Sequence, residues 1–173
     1  MKPFLTIWDY SMRTLALALL ISFNVSAQHP AETIPDFTFF KFNKSPFTYK
    51  NLEQNKLLFF VFFDVGCEHC QHAIQTLNSH YSDLKKTTLY LISLDSQEMI
   101  QNFMNKYGKN LSGKKNVTLL QDLNNEFILK FRPRKYPSMF LYSSEKKLIM
   151  YNDNEENLFR FFQQINVAAK RTS

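Results

Sequence analysis

The stretch Leu57-Leu58-Phe59-Phe60-Val61-Phe62-Phe63-Asp64-Val65-Gly66-Cys67-Glu68-His69-Cys70 decides how this chain is read. Its first seven residues are all apolar. A continuous run of that length fits a strand buried on both faces, hence one near the middle of a sheet. Asp64-Val65-Gly66 ends the run. From Cys67 onward the period changes: Cys70, Ala73, Ile74, Leu77, Tyr81 and Leu84 recur at spacings of three and four, which gives a helix one apolar face. A buried strand, a tight turn and a helix therefore deliver Cys67 to a helix N-terminus.

That placement has chemical consequences. The first turn of a helix carries unpaired N–H groups and a partial positive charge, and both stabilise a thiolate. A thiolate attacks a disulfide to form a mixed disulfide. Cys70, three residues further on, can reach the same sulfur and release the bound partner. Between them, a protonated His69 would favour the Cys67 thiolate and make the disulfide more oxidising, whereas Glu68 acts in the opposite sense. Such a dithiol carries two electrons by itself, so no cofactor is required.

Working outward, Ile34 to Phe40 reads as an edge strand with Pro35 near its start, where a missing N–H does little harm. Leu89 to Leu94 reads as a second buried strand. Asp95 and Glu98 have the spacing of a capping box for a helix whose apolar face is Ile100, Phe103, Met104 and Tyr107. Gly108 fits the position that stops it. Lys109 to Asn116 is a basic loop, Val117 to Leu120 a short strand, and Asn124 to Phe131 a short helix with Phe127, Ile128 and Phe131 inward. Ser138 to Tyr142 and Lys147 to Tyr151 form a hairpin. Asp153 and Glu156 suggest another capping box, before a last helix that buries Leu158, Phe161, Phe162, Ile165 and Ala169. Strand–helix alternation closed by a hairpin and helix implies an α/β sandwich with a mixed sheet.

Composition agrees. The chain has 173 residues, 45% hydrophobic and 21% charged, with 18 Phe and only 3 Gly. That is enough apolar surface to offset chain entropy, which excludes a mainly disordered protein. The net charge is +6, but Lys and Arg are scattered and no nucleic-acid motif accompanies them, so a nucleic-acid partner is not expected. Residues 1–27 read as an export signal. Lys2 and Arg13 are basic, Leu15 to Val25 is an apolar run of signal length, and Val25-Ser26-Ala27 supplies small residues before a cut at Gln28. The run is short for a spanning helix, so no stable span is expected after cleavage; an uncleaved anchor is the alternative. Cys67 and Cys70 are the two cysteines of the chain, and one bridge over so short a loop constrains little, which excludes a disulfide scaffold.

At this point the sequence resembles the thioredoxin superfamily. The resemblance lies in Cys67-Glu68-His69-Cys70, the strand before it, and Tyr136-Pro137-Ser138-Met139-Phe140. Ile34-Pro35-Asp36-Phe37 is similar to the start of the exported TlpA/ResA-like thiol–disulfide oxidoreductases, and the segment from Asp95 to Leu123 to an insertion of that subgroup. The resemblance covers about residues 34 to 168. It implies a thioredoxin-like three-layer sandwich over residues 28–173, with a mixed central sheet flanked by helices. It also implies a periplasmic, monomeric enzyme that exchanges disulfides with protein clients and is regenerated by a redox partner. Cys67 would be the nucleophile and Cys70 the resolving thiol. Pro137 would be the family's cis-proline, with Tyr136 and Gly66 lining the substrate groove.

Two residues depart from the family pattern. Gly66 replaces the frequent Trp before the first cysteine, and Val61 stands where thioredoxin has a buried acid. Asp64 is an alternative source of proton transfer, or merely a polar strand end. Arg132, Arg134 and Lys135 would add positive field if the proline loop abuts the cysteines; otherwise they form a solvated basic loop. Three other readings stay open. Cys67, His69, Cys70 and His72 have donor types that suit zinc or copper, although His72 and His80 fit exposed helix positions equally well. A peroxidase of the peroxiredoxin kind typically has Thr where this chain has Asp64. A low-turnover thioredoxin-like binding module would tolerate loss of Cys67.

Overall fold

The computed structural model describes residues 29–171, so the expected export signal lies outside the described residues. The apolar run becomes β3 (Leu57–Phe62), with five of its six residues buried. On one side it pairs in parallel with β4 (Thr87–Ser93) and on the other antiparallel with β6 (Ser138–Tyr142). The remaining strands are β1 (Thr38–Phe40), β2 (Pro46–Thr48), β5 (Val117–Gln121) and β7 (Leu148–Asn152). Their order across the sheet is β2-β1-β5-β4-β3-β6-β7, a mixed seven-stranded sheet. Helix α1 (Glu68–Ser79) joins β3 to β4, α2 (Gln97–Tyr107) joins β4 to β5, and α3 (Leu158–Arg171) follows β7.

Because side chains alternate along a strand, each central strand feeds both faces of the sheet. Phe59, Val61, Leu89, Leu91, Met139 and Leu141 point to the face covered by α1, α2 and α3. Leu58, Phe60, Phe62, Tyr90, Ile92, Phe140 and Tyr142 point to the other. That second face is closed by the lead-in strand and by a π-helical turn at Phe127–Phe131, so three layers result. The architecture is the thioredoxin-like α/β fold with a mixed sheet that the resemblance implies.

Several local expectations need correction. Ile34 to Phe40 is not an edge strand: only Thr38–Phe40 is extended, as β1, and it is covered by β2, a three-residue strand with too little apolar pattern to be read from sequence. Helix α2 is capped by Ser96, whose hydroxyl accepts from the Met99 N–H, and not by Asp95. Before α3, Asn154 accepts from the Glu156 N–H in the 3-10 turn Glu155–Asn157, where Asp153 was expected to cap. Phe127 and Phe131 are buried, but Ile128 is exposed; the wider π-turn rotates it off the inward face. Gly108 does end α2, but at φ −125°, outside the left-handed region. A Cβ there would press on the end of the Met104 side chain and on Ile74 Cγ2, so a larger residue makes the Met104 side chain shift. In α3, Leu158, Phe161, Phe162 and Ile165 are buried as expected, and the Ala169 side chain lies outside the described residues.

Candidate redox site

β3 ends at Phe62, and the chain turns at the top of the sheet. Two aspartates shape the turn. The Asp64 carboxylate accepts from the Gly66 N–H at 2.8 Å, and the Asp95 carboxylate accepts from the Val65 N–H at 3.0 Å. Asp95 is itself fixed by the Ser93 hydroxyl at 2.7 Å. A Cβ on Gly66 would meet Asp64 Oδ1 at 3.2 Å, so a larger residue there crowds the carboxylate that holds the turn.

Cys67 is the N-cap of α1, in extended conformation. Its carbonyl accepts from the N–H groups of Cys70 and Gln71, both at 3.1 Å. Its sulfur is half-buried and lies 4.0 Å from the Tyr136 carbonyl oxygen, within reach of a weak S–H hydrogen bond. Cys70 is fully buried under the first turn. Burial pushes its thiol far above the ordinary range; the neighbouring Cys67 sulfur and the Asp64 carboxylate push the same way, against a backbone hydrogen bond from Asp64. The two thiols are thus unlike: one is open to a partner, the other enclosed and held protonated until the first reacts.

The peptide bond Tyr136–Pro137 is cis. Pro137 leads into β6, where Ser138 pairs with Phe62 at the end of β3, and this pairing sets the proline loop beside the cysteine turn. The Tyr136 ring packs on Phe62, with centroids 4.8 Å apart. Burial, then the charges of Asp64 and Asp95, push its hydroxyl up to about 12. Beside it, Phe62, Ile128, Pro133, Arg134, Lys135 and Tyr136 line a shallow cleft of about 170 Å³.

The structure therefore gathers Gly66, Cys67, Cys70, Tyr136 and Pro137 at one end of β3 and β6. The flanking charges behave otherwise. Glu68 is exposed in the first turn of α1. His69 is exposed and its Nδ1 meets Glu155 Oε1 at 2.5 Å. Arg134 pairs with Asp153 through Nε at 2.9 Å and stacks over Tyr151, while Arg132 and Lys135 are exposed. The proline loop does abut the cysteines, but Arg134 is turned to Asp153. Val61 is buried in the same cluster as Cys70, so the position is apolar where an acid would face the thiol. Among the described residues, no group of three or more His, Cys, Asp or Glu is arranged to hold a metal.

Reading by sequence missed Asp95 and Glu155. Asp95 carried a competing local reading as a helix cap. Glu155 lies 86 positions from His69 and has no local signal at all.

A family model for the AhpC/TSA family matches residues 30–151, most of the chain. The chain belongs to the AhpC/TSA family. This is a redox-active family, consistent with the paired thiols. No curated protein matches the sequence. Similar solved structures include a thioredoxin-like protein from Porphyromonas gingivalis, at 17% identity and TM-score 0.63, with 82% of this chain and 95% of that one covered. The thioredoxin domain of a thiol-disulfide oxidoreductase from Bacteroides vulgatus has 16% identity and TM-score 0.62, covering 79% of this chain and 96% of that one. A secreted Mycobacterium tuberculosis disulfide oxidoreductase, described as homologous to DsbE, has 19% identity and TM-score 0.60, with 74% and 95% covered. At these identities the likeness supports the fold.

Proposed function

We propose that this AhpC/TSA family member is an exported thiol–disulfide oxidoreductase acting on protein clients, with residues 1–27 as its export signal and the periplasm as its site of action. The observation that carries the reading is the asymmetry of the two thiols. Cys67 caps α1, half-open and beside the Tyr136 carbonyl, while Cys70 is sealed behind it. No helix among the described residues is long and apolar enough to cross a membrane.

In the reducing direction the Cys67 thiolate attacks one sulfur of a client disulfide. The client S–S bond breaks, a mixed disulfide forms, and the departing client sulfur takes up a proton. Cys70 then loses its proton and attacks Cys67 Sγ. The Cys67–Cys70 disulfide forms and the second client sulfur leaves as a thiol. The client gains two electrons and two protons; the protein gives up two electrons and the proton of Cys70, and the second proton is the one released to solvent when the Cys67 thiolate formed. A redox partner restores the dithiol; the reverse sequence oxidises a client. Gly66, Tyr136 and Pro137 form the groove in which an extended client strand lies, and the Tyr136 backbone is its anchor. Glu68 and His69 adjust the potential.

The test is trapping. Cys70→Ser should accumulate mixed disulfides through Cys67 in the cell envelope, released by reductant. Cys67→Ser should accumulate none. If the two variants give the same pattern, this reading fails.

The family match favours a second reading, reduction of a peroxide by Cys67. A peroxide oxygen at the thiolate benefits from a hydrogen-bond donor, whereas an ionised carboxylate such as that of Asp64 only accepts, and this one already accepts from Gly66. Hydrogen peroxide consumption driven by dithiothreitol decides between the readings: rapid, Cys67-dependent turnover would favour the peroxidase.

A further inference from the structure

The sequence sets two basic side chains near the couple: His69, between the cysteines, which favours the Cys67 thiolate when protonated, and Arg134, on the proline loop. In the structure, one short segment engages both. The junction between β7 and α3 presents Asp153 to Arg134 at 2.9 Å and Glu155 to His69 at 2.5 Å. The acids are the fixed partners. Their side chains are each only 16% exposed, against 60% for Arg134 and 70% for His69. The junction is also held by its own hydrogen bonds: the Asn154 N–H donates to Asn152 Oδ1 at 2.9 Å, and Asn154 Oδ1 accepts from the Glu156 N–H at 3.0 Å. A long, exposed side chain settles where an anchored carboxylate holds it.

We propose that Glu155 is a positioning residue for the Cys67–Cys70 couple: by binding Nδ1 of His69 it holds that ring against the β7–α3 junction and offsets its charge, so the couple stays more reducing than Cys-Glu-His-Cys alone would set it. This role for Glu155 rests on the thiol–disulfide reading above and adds a direction to it. A positive charge near Cys67 stabilises its thiolate, hence the reduced form, and makes the disulfide a stronger oxidant. A carboxylate locked onto that charge cancels much of the effect at the sulfur. Burial alone would raise the Glu155 carboxyl; the hydrogen bond to His69, with the charges of His69 and His72, brings it below its ordinary value instead. The charged neighbours of the pair on α1 are Glu68 and His72. Asp153 acts on Arg134 in the same sense from the other flank.

The experiment equilibrates the full chain with graded mixtures of glutathione and glutathione disulfide at about pH 6, where an ordinary imidazole is largely charged. In the reaction, two glutathione thiols give two electrons and two protons to the Cys67–Cys70 disulfide and become one glutathione disulfide. The reduced fraction is read from the mass added by a thiol reagent. Glu155→Gln keeps the size of the side chain and a hydrogen-bond acceptor, and it should favour the reduced form on the order of fivefold over the unchanged protein. In a His69→Gln background the same substitution should change the equilibrium by less than about twofold. An unchanged equilibrium in Glu155→Gln overturns the proposal, as does a shift toward the disulfide or a full shift that survives without His69. A different failure belongs to the parent reading: if the unaltered protein forms no reversible Cys67–Cys70 disulfide in any glutathione mixture, the oxidoreductase assignment falls and this inference falls with it.

Discussion

The two faces of the sheet are built from different materials. The face under α1, α2 and α3 is mainly aliphatic and holds Cys70, Leu77, Leu91, Ile100, Met104 and Ile165. The opposite face is aromatic: Phe37, Phe39, Phe60, Phe62, Phe127, Phe131, Phe140 and Tyr142 lie in one cluster, many ring against ring. Helices close the first face, while a π-turn and an irregular lead-in close the second. A regular helix brings a ready apolar stripe, so aliphatic side chains suffice beneath it. A short turn brings few side chains, so each must be large, and aromatic rings bury the most area per residue. Chemistry sits on the helical face, and the aromatic face acts as its support. Tyr136 packs against both clusters, at the point where the redox loop meets them.

The division of labour is broken most directly by Phe131→Ala. Phe131 is fully buried and touches the rings of Phe60, Phe127 and Phe140. Its loss should cost about 3–5 kcal/mol in urea unfolding, the usual range for a deleted core aromatic. The glutathione equilibrium of the folded variant should not move, because the substituted side chain lies on the far face from Cys70. A redox shift accompanying the stability loss would show that the two faces are not independent.

This contrast also explains what could be read from the sequence. The helices of the first face are written in periods: the three–four spacing after Cys67 and the apolar stripe of α2 each name their element locally, while the seven-residue run of β3 names a strand that serves both faces. Cys67 and Cys70 stand in a strand–turn–helix pattern, which is a local signal, whereas Gly66, Tyr136 and Pro137 were named only through the resemblance to the thioredoxin superfamily. The aromatic face has no period to read. In the π-turn, Phe127 and Phe131 look like one side of an ordinary helix, and the misplacement of Ile128 follows from that. β2 is too short to show alternation. Asp95 and Glu155 act across the chain, so their partners cannot be named without the fold. The same holds for the basic loop, whose field depended on where Arg134 turned.

A smaller effect sharpens the view of how the aromatic face is closed. The Asp122 carboxylate is buried and accepts from the N–H groups of Asn124, Glu126 and Phe127, the last at 2.7 Å. It therefore initiates the π-turn that carries Phe127 and Phe131. Asp122→Ala leaves these donors without a carboxylate and should cost about 1–3 kcal/mol. The loss should be smaller when Phe131 is already Ala if the aspartate acts by placing that ring; strict additivity in urea unfolding would argue against that role.

On the helical face, the inequality of the two thiols sets the next expectation. With the protein reduced, iodoacetamide at about pH 7.5 should modify Cys67 at least about tenfold faster than Cys70, since only the thiolate reacts and burial keeps Cys70 protonated. Peptide mass mapping of the modified sites measures the ratio. Equal rates would mean that Cys70 is neither enclosed nor held protonated, and the attacking and resolving roles would lose their physical basis.

The smallest effect concerns the junction that holds His69. Glu155 lies below the ordinary glutamate value of about 4.5: burial, the largest single influence, would raise it, but the hydrogen bond to His69, a backbone hydrogen bond and the charges of His69 and His72 together outweigh burial. A carboxyl depressed in the folded state stabilises the protein above its unfolded value, and that stabilisation disappears as pH falls through the folded value. The unaltered protein should therefore exceed Glu155→Gln in stability near pH 6 by about 1 kcal/mol or less, since His69 is largely exposed and the pair is screened. The gap should close as the pH drops below about 4.5, where the carboxyl takes up its proton. Thermal unfolding of both proteins across this range measures it. A gap that persists unchanged into acid would mean that Glu155 stabilises the junction through its packing and not its charge, and the electrostatic argument for its hold on His69 would then be wrong even if the redox chemistry of Cys67 and Cys70 is as described.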